Sequence, residues 1–375
     1  MRATRALIHL DRLARNIALV RGRIGPGPLI CMPVKAGAYG HGAVAVARAA
    51  LAAGVRYLAA ASLEEGAELR QAGINAPILL LSQASPGDLP EAASLGLIPL
   101  VSDREFVSAA ASAAGAAAGK RLAVHLKIDT GMGRLGCTPE EAPELAAFIA
   151  SKPSLQYAGT ATHLAAAGSA AEGDLRYTRD QLARFRAAVE AIRRAGVDPG
   201  IVHAANSGGV LLHEDSWLDM VRPGLLLYGY SPLGSPPGRP EPQEPRPEPL
   251  MELVTNIVAL KHLRRGEPVS YDRIWTAPED TTIAVIPVGY GDGLPRALSG
   301  RLQVLVQGRL YPQVGRICMD QCMLNLGPDA AIPRWERLTV FGGAAPDAAD
   351  LAAQTGTIPY EITCGISPRV PRVYC

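Results

Sequence analysis

The sequence predicts an α/β protein, a (β/α)8 barrel of the TIM type over residues 1–230 followed by a mostly-β domain over residues 250–375. Two observations carry this. Eight short apolar runs alternate with helical stretches over the first part, a span of about 230 residues that suits such a barrel. After a proline-rich break the texture changes to period-two runs punctuated by Gly and Pro, with no long helical pattern between them. An open, doubly wound sheet competes for the first part, but eight regular units favour closure.

The β-type runs occupy 29–35, 57–61, 78–82, 97–101, 122–129, 156–163, 201–206 and 221–228. Helical stretches lie between them at 43–53, 63–72, 86–95, 103–118, 139–151 and 174–195, several closed by Gly. The clearest carries Leu182, Phe185, Val189 and Ile192 on one face, with Arg and Glu around the rest. Residues 231–249 hold eight prolines and no apolar periodicity, which reads as an extended linker. Beyond it the runs at 254–260, 282–288, 302–306, 323–326 and 338–341 predict the β domain.

Composition narrows the function. With 375 residues, 48% hydrophobic and 19% charged, the chain is folded and not disordered. A net charge of +2 leaves no basic surplus for a run of phosphates, so nucleic acid is excluded as the main partner and a small molecule is favoured. The six cysteines are scattered without a C-x-x-C pair, and the seven histidines lie far apart, which argues against a disulfide framework or a metal site. No signal-peptide core and no membrane-length apolar run is found, so a cytoplasmic location is expected.

In a barrel the polar residues at strand C-termini line the active site. Lys35 ends the first strand ahead of a Gly-punctuated turn; it is either a surface lysine or an amine aimed into the site, where partial burial makes it nucleophilic. In the fifth strand Leu122, Val124, Leu126 and Ile128 form one face, and His125, Lys127 and Asp129 the other. With the apolar face on the helices, the polar trio points inward and needs mutual pairing or a ligand. Arg134 follows in a turn. His163 ends the sixth strand, Asn206 and Ser207 end the seventh, and Arg222 with Gly224 lies in the eighth. A hydroxyl and glycines at a short helix after the seventh strand suit a phosphate. Together with a strand-end lysine they point to pyridoxal phosphate held as a Schiff base.

Ordered motifs carry a more specific resemblance. A-x-A-Y-G-H-G follows Lys35, and L-K-I-D-T-G-M-G-R-L spans 126–135. His163, H-A-A-N-S-G-G at 203–209, Arg222 with 223–229, Ser270-Tyr271, 289–293, Cys318-Met319-Asp320 and Tyr360-Glu361-Ile362 follow in order. The chain resembles the alanine racemases over nearly its whole length. That resemblance implies a pyridoxal 5'-phosphate enzyme interconverting L-alanine and D-alanine and supplying D-alanine for peptidoglycan. A serine or broad-specificity amino-acid racemase on the same scaffold is the alternative. It also implies a homodimer, in which Tyr271 of the β domain reaches the partner subunit's barrel.

By the same resemblance Lys35 carries the cofactor and is one base, and Tyr271 is the base on the opposite face. Racemisation needs both, because the proton must be able to return from either side. A chain from Tyr271 through His163 to Arg222 is implied, with Arg222 facing the pyridine nitrogen. Tyr39, Ser207, Gly224 and Tyr360 resemble the phosphate binders, with Asn206 beside them. Arg134 resembles the contact to the cofactor's phenolic oxygen and the substrate carboxylate, and the Met319 amide the second carboxylate contact. Lys127 is either carbamylated, as in some members, or an ordinary lysine paired with Asp129. His125 reads as a satisfied interior histidine. Two departures stand out. Gly37 replaces the more usual Asn, and Asp272 replaces a common Gly beside Tyr271, where its charge is expected to raise the phenol pKa if unscreened.

Overall fold

A computed structural model describes residues 3–116, 121–233 and 246–375. It divides into two units. One comprises Leu13–Ala38 and Ala43–Pro247; the other Met1–Arg12, Tyr39–Gly42 and Glu248–Cys375. Residues 3–12 and 39–42, expected in the barrel, fall in the β unit: β1 (Arg5–Ile8) pairs antiparallel with β10 (Met251–Asn256), and Arg372 Nε donates to Gly40 O at 2.9 Å. Most of the expected linker, residues 234–245, lies outside the described residues.

The barrel strands are β2 (Leu29–Pro33), β3 (Tyr57–Ala60), β4 (Ile78–Leu80), β5 (Ile98–Val101), β6 (Leu122–Lys127), β7 (Leu155–Ala161), β8 (Ile201–His203) and β9 (Met220–Val221). All pair in parallel, in the order β8-β7-β6-β5-β4-β3-β2-β9. Because β2 lies between β3 and β9, the sheet curls into a ring and the open doubly wound alternative falls. Asp219 N to Val202 O (3.0 Å), Arg222 N to Ala205 O (2.8 Å) and Val202 N to the Asp219 carboxylate (2.8 Å) span β8 and β9, so the ring is nearly closed.

The alternation in β6 sorts as its pattern predicts. Val124, Leu126 and Ile128 join a buried layer with Phe106, Leu145, Leu182 and Phe185 of the surrounding helices. Ala123 packs on the interior cluster of Cys31, Ala59, Leu79, Ile98 and Met220. The helix Glu172–Arg194 buries the expected face of Leu182, Phe185, Val189 and Ile192. The helix Leu10–Ile24 was not read from the sequence, although Leu13, Ile17, Val20 and Ile24 give it an apolar stripe. The eighth strand stops at Val221 and not at residue 228. Pro223 cannot donate to a ladder, and Leu227 N and Tyr228 N bond Gly224 O and Leu225 O in tight turns.

The β unit is built on a nine-stranded sheet. Its remaining strands are β11 (Ala259–Leu263), β14 (Thr281–Ile286), β15 (Gln303–Val306), β16 (Arg309–Val314), β17 (Cys322–Gly327), β18 (Arg337–Phe341) and β19 (Arg372–Tyr374). The order is β11-β14-β17-β16-β15-β18-β10-β1-β19. Two short strands, β12 (Pro268–Val269) and β13 (Trp275–Thr276), form a separate ribbon whose loop carries Tyr271. The single run expected at 254–260 is two strands, since Ile257 N and Val258 N turn to Glu336 O and Val285 O. Among the described residues no helix is long and apolar enough to cross a membrane.

Candidate active site

Lys35 emerges directly after β2 and opens an unusual turn. Ala36, Gly37, Ala38 and Tyr39 all have left-handed backbones, with φ of 51°, 60°, 54° and 54°. Ala38 N closes the turn on Val34 O at 2.7 Å. Each non-glycine residue in this region costs about 1–2 kcal/mol, whereas Gly, and to a lesser degree Asn, adopts it readily. Gly37 therefore adopts its place in the turn without that cost. The strain is held by a residue the sequence reading did not single out: the Glu65 carboxylate accepts Ala36 N at 2.6 Å and Ala61 N at 2.7 Å.

At the same mouth His163 is held as a neutral base. Burial, then the charges of Arg222, Lys127, Arg134 and Lys35, push its pKa down to about 3. Arg222 is the nearest of these groups. Arg222 is buried, and burial lowers its pKa to about 10, so it stays charged at neutral pH. Its Nη2 donates to Thr162 O at 2.7 Å and Ala204 O at 3.2 Å, and lies 3.4 Å from His163 Nδ1.

Arg222 Nη1 bonds His203 Nδ1. A guanidinium only donates, so His203 Nδ1 accepts and its proton sits on Nε2. That proton faces His125 Nδ1 at 2.8 Å, which leaves the His125 proton on Nε2. The buried chain Arg222–His203–His125 is thus fixed in one tautomer. His203 stood in the H-A-A-N-S-G-G motif, but nothing in its spacing singled it out.

The Lys127 amine is pushed down to about 7, by burial first and the Arg222 charge second. Its Nζ donates to Ile128 O at 3.2 Å. The pairing with Asp129 considered from sequence is absent among the described residues. Asp129 instead accepts the backbone amides of Gly131, Met132 and Arg134 at 2.9, 2.8 and 3.1 Å, which folds the loop bearing Arg134. Asn206 spends its amide on capping Gly209 N at 3.0 Å and on Leu164 O at 3.1 Å. Ser207 Oγ accepts Leu226 N at 3.3 Å in the segment that follows Gly224. A Cβ on Gly208 would lie 2.5 Å from Gly168 N, so only Gly allows this close approach.

In the β unit Tyr39 and Tyr360 stand together, ring centroids 5.1 Å apart. Tyr271 is 68% exposed and Met319 52%. Both line a cavity of about 710 Å3 with Lys261, Val269, Cys318 and Asp320. Ser270, Asp272 and Arg273 have φ of 68°, 63° and 51°, so Tyr271 is flanked by left-handed backbone. The repulsion expected from Asp272 is screened: its carboxylate lies 3.3 Å from Arg316 Nε.

The barrel mouth fits pyridoxal phosphate on its own chemistry. A buried guanidinium with no carboxylate partner among the described residues is costly unless a ligand acceptor meets it. A strand-end amine and several cations beside it suit an anionic, carbonyl-bearing cofactor.

Comparison with known proteins agrees. Models of the alanine racemase N-terminal and C-terminal domains match residues 8–232 and 250–374. The alanine racemase of Treponema denticola is 46% identical over 100% of this chain and 98% of its own length. That of Treponema pallidum is 43% identical over 100% of both. The crystal structure of alanine racemase from Streptomyces lavendulae matches with a TM-score of 0.90 at 36% identity, covering 100% of this chain and 97% of that one. The alanine racemase of Clostridium difficile gives 0.93 at 34% identity, covering 100% and 96%.

Proposed function

The chain belongs to the alanine racemase family, and on that premise we propose that Lys35 and Tyr271 are the two bases of its reaction. It is a pyridoxal-phosphate-dependent isomerase that interconverts L-alanine and D-alanine. The serine or broad-specificity alternative is not favoured by its relatives. When bound, the cofactor withdraws electrons from the substrate's α-carbon and makes its hydrogen acidic.

The protein's own groups do the rest. Lys35 holds the cofactor and then carries a proton at Nζ on one face of the α-carbon. Tyr271 takes or gives a proton at Oη on the other. Arg222 would offer an N–H to the ring nitrogen and, always charged, would hand it no proton. Arg134 and the Met319 amide orient the substrate carboxylate, while Tyr39, Ser207, Gly224 and Tyr360 hold the phosphate and Asn206 braces the helix beside it. His163, beside Arg222, is the group that Tyr271 of the partner subunit would meet. The observation that carries this assignment is the buried, carboxylate-free Arg222 beside the neutral His163 at the mouth that Lys35 enters. We propose that Lys127 is carbamylated: it is buried with its Nζ on Ile128 O at 3.2 Å and no carboxylate within ion-pair distance among the described residues, and its lowered pKa favours the uncharged amine, which adds CO2 with loss of a proton.

We infer a homodimer in which Tyr271 serves the partner subunit's barrel. The high exposure of Tyr271 and Met319 on one cavity supports this, as does Ile274 at 46%. A cytosolic location is supported by six free cysteines. Mixing two inactive variants, Lys35→Ala and Tyr271→Ala, tests both assignments. If subunits exchange and sites are shared, hybrids regain one intact site, about a quarter of full activity. No regain after verified exchange overturns the shared site. Lys35→Ala with full racemisation overturns the cofactor assignment.

A further inference from the structure

Two loops of the β unit run backbone against backbone at the edge of the Tyr271 cavity. Tyr290 N donates to Cys318 O at 3.0 Å and Gly291 N to Met319 O at 2.8 Å. A Cβ at position 289 would lie 2.2 Å from Cys318 O, and one at 291 would lie 2.6 Å from Arg369 Nη1. Gly289 and Gly291 are therefore conditions of this approach.

Arg369 joins the two loops. Its Nε lies 3.1 Å from Asp292 Oδ1, and its Nη2 donates to Asp320 Oδ1 at 2.6 Å. The Asp292 side chain is fully buried, its other oxygen accepts Gly289 N at 3.1 Å, and its backbone oxygen accepts Ser367 N at 3.0 Å. A buried carboxylate requires a cation, and a guanidinium can serve two carboxylates in fixed directions where an ammonium is a point charge. Asp320 follows Met319 immediately, so the Arg369–Asp320 bond limits rotation of the backbone that presents the Met319 amide.

We propose that Arg369 is a positioning residue for substrate binding: through Asp292 and Asp320 it locks loops 289–293 and 318–320 together and so fixes the Met319 amide. The role rests on the reading of Met319 as a substrate-carboxylate contact. It differs from a catalytic role, since Arg369 acts only through the two aspartates.

The test uses the holoenzyme with Arg369→Ala, Arg369→Lys and Asp320→Asn. KM and kcat are measured from both enantiomers, together with inhibition by propionate, which has the carboxylate of alanine and no amine. Arg369→Ala should raise both KM values about tenfold and weaken propionate equally, with kcat within about threefold. Arg369→Lys should recover part of the loss. Should Arg369→Ala not fold, Asp320→Asn carries the same test, because its side chain is 58% exposed and its loss leaves the buried pair intact. Unchanged KM in folded Arg369→Lys and Asp320→Asn overturns the proposal, as does a fall confined to kcat. A raised KM for alanine with unaltered propionate inhibition supports the clamp and overturns instead the carboxylate reading of Met319.

Discussion

Glu65 holds the backbone amide of Ala36 at 2.6 Å, one residue beyond Lys35, while its second oxygen holds Ala61 at the end of the neighbouring strand. One carboxylate thus ties the left-handed turn after the lysine to the barrel wall. Glu65→Ala removes both charge-assisted bonds and should weaken pyridoxal phosphate binding by about tenfold to a hundredfold. Glu65→Gln, which keeps a carbonyl acceptor, should lose less. Titrating apoprotein with cofactor and following its absorbance reads the effect; equal affinity in both variants and the parent would mean the turn holds itself.

Lys127 should respond to CO2 in a pH-dependent way. Its amine becomes uncharged as pH rises through about 7. Addition of CO2 to that form releases a proton and leaves a carbamate anion, so labelling should grow as pH rises. Carbon-13 NMR with labelled bicarbonate should show a protein-bound signal that is lost in Lys127→Ala. A signal that survives the substitution would place the label elsewhere.

The buried histidines should make the fold acid-sensitive. His125 and His163 drop from 6.5 to about 3, chiefly through burial, and His203 falls well below its usual value for the same first reason. Above pH 6.5 neither folded nor unfolded histidine is charged. Below it the unfolded chain binds protons that the folded chain refuses, so stability falls as pH drops from about 6.5 towards 3, by about 1.4 kcal/mol per unit for each histidine. Calorimetric unfolding of His125→Gln should show a shallower decline over that window than the parent. Parallel profiles would contradict the neutral assignment.

Asp272 should matter little to stability. Its pair with Arg316 is largely exposed, and such pairs contribute about 0–1 kcal/mol. Asp272→Asn should leave melting nearly unchanged, and added salt should narrow any difference further. What it should change is the pH profile of the direction that uses Tyr271 as base, because Arg316 then has no carboxylate to neutralise it. Identical profiles would show that neither charge is felt at Tyr271.

The strand-helix alternation, the inward polar trio of β6 and the residues of each motif were all legible in the sequence, because side-chain period and turn chemistry are local properties. Lys35 stood out at a strand end, and Arg222 and His163 stood out once the barrel was assumed. The sequence also carried, unread, the apolar stripe of the helix Leu10–Ile24.

Tertiary structure alone decided which partners those groups take. Asp129 lies two residues from Lys127, yet it folds the Arg134 loop while Lys127 is left with a carbonyl. Asp272 stands beside Tyr271 in sequence but is answered by Arg316, 44 residues away. His125, His203 and Arg222 become one chain only when β6, β8 and the segment after β9 close the ring. Glu65 and Arg369 gave no signal of their own, since a carboxylate or guanidinium on a polar stretch looks like a solvated surface until the fold brings two loops to it. Local pattern determines where a side chain points; burial and long-range pairing determine its charge, its tautomer and its use.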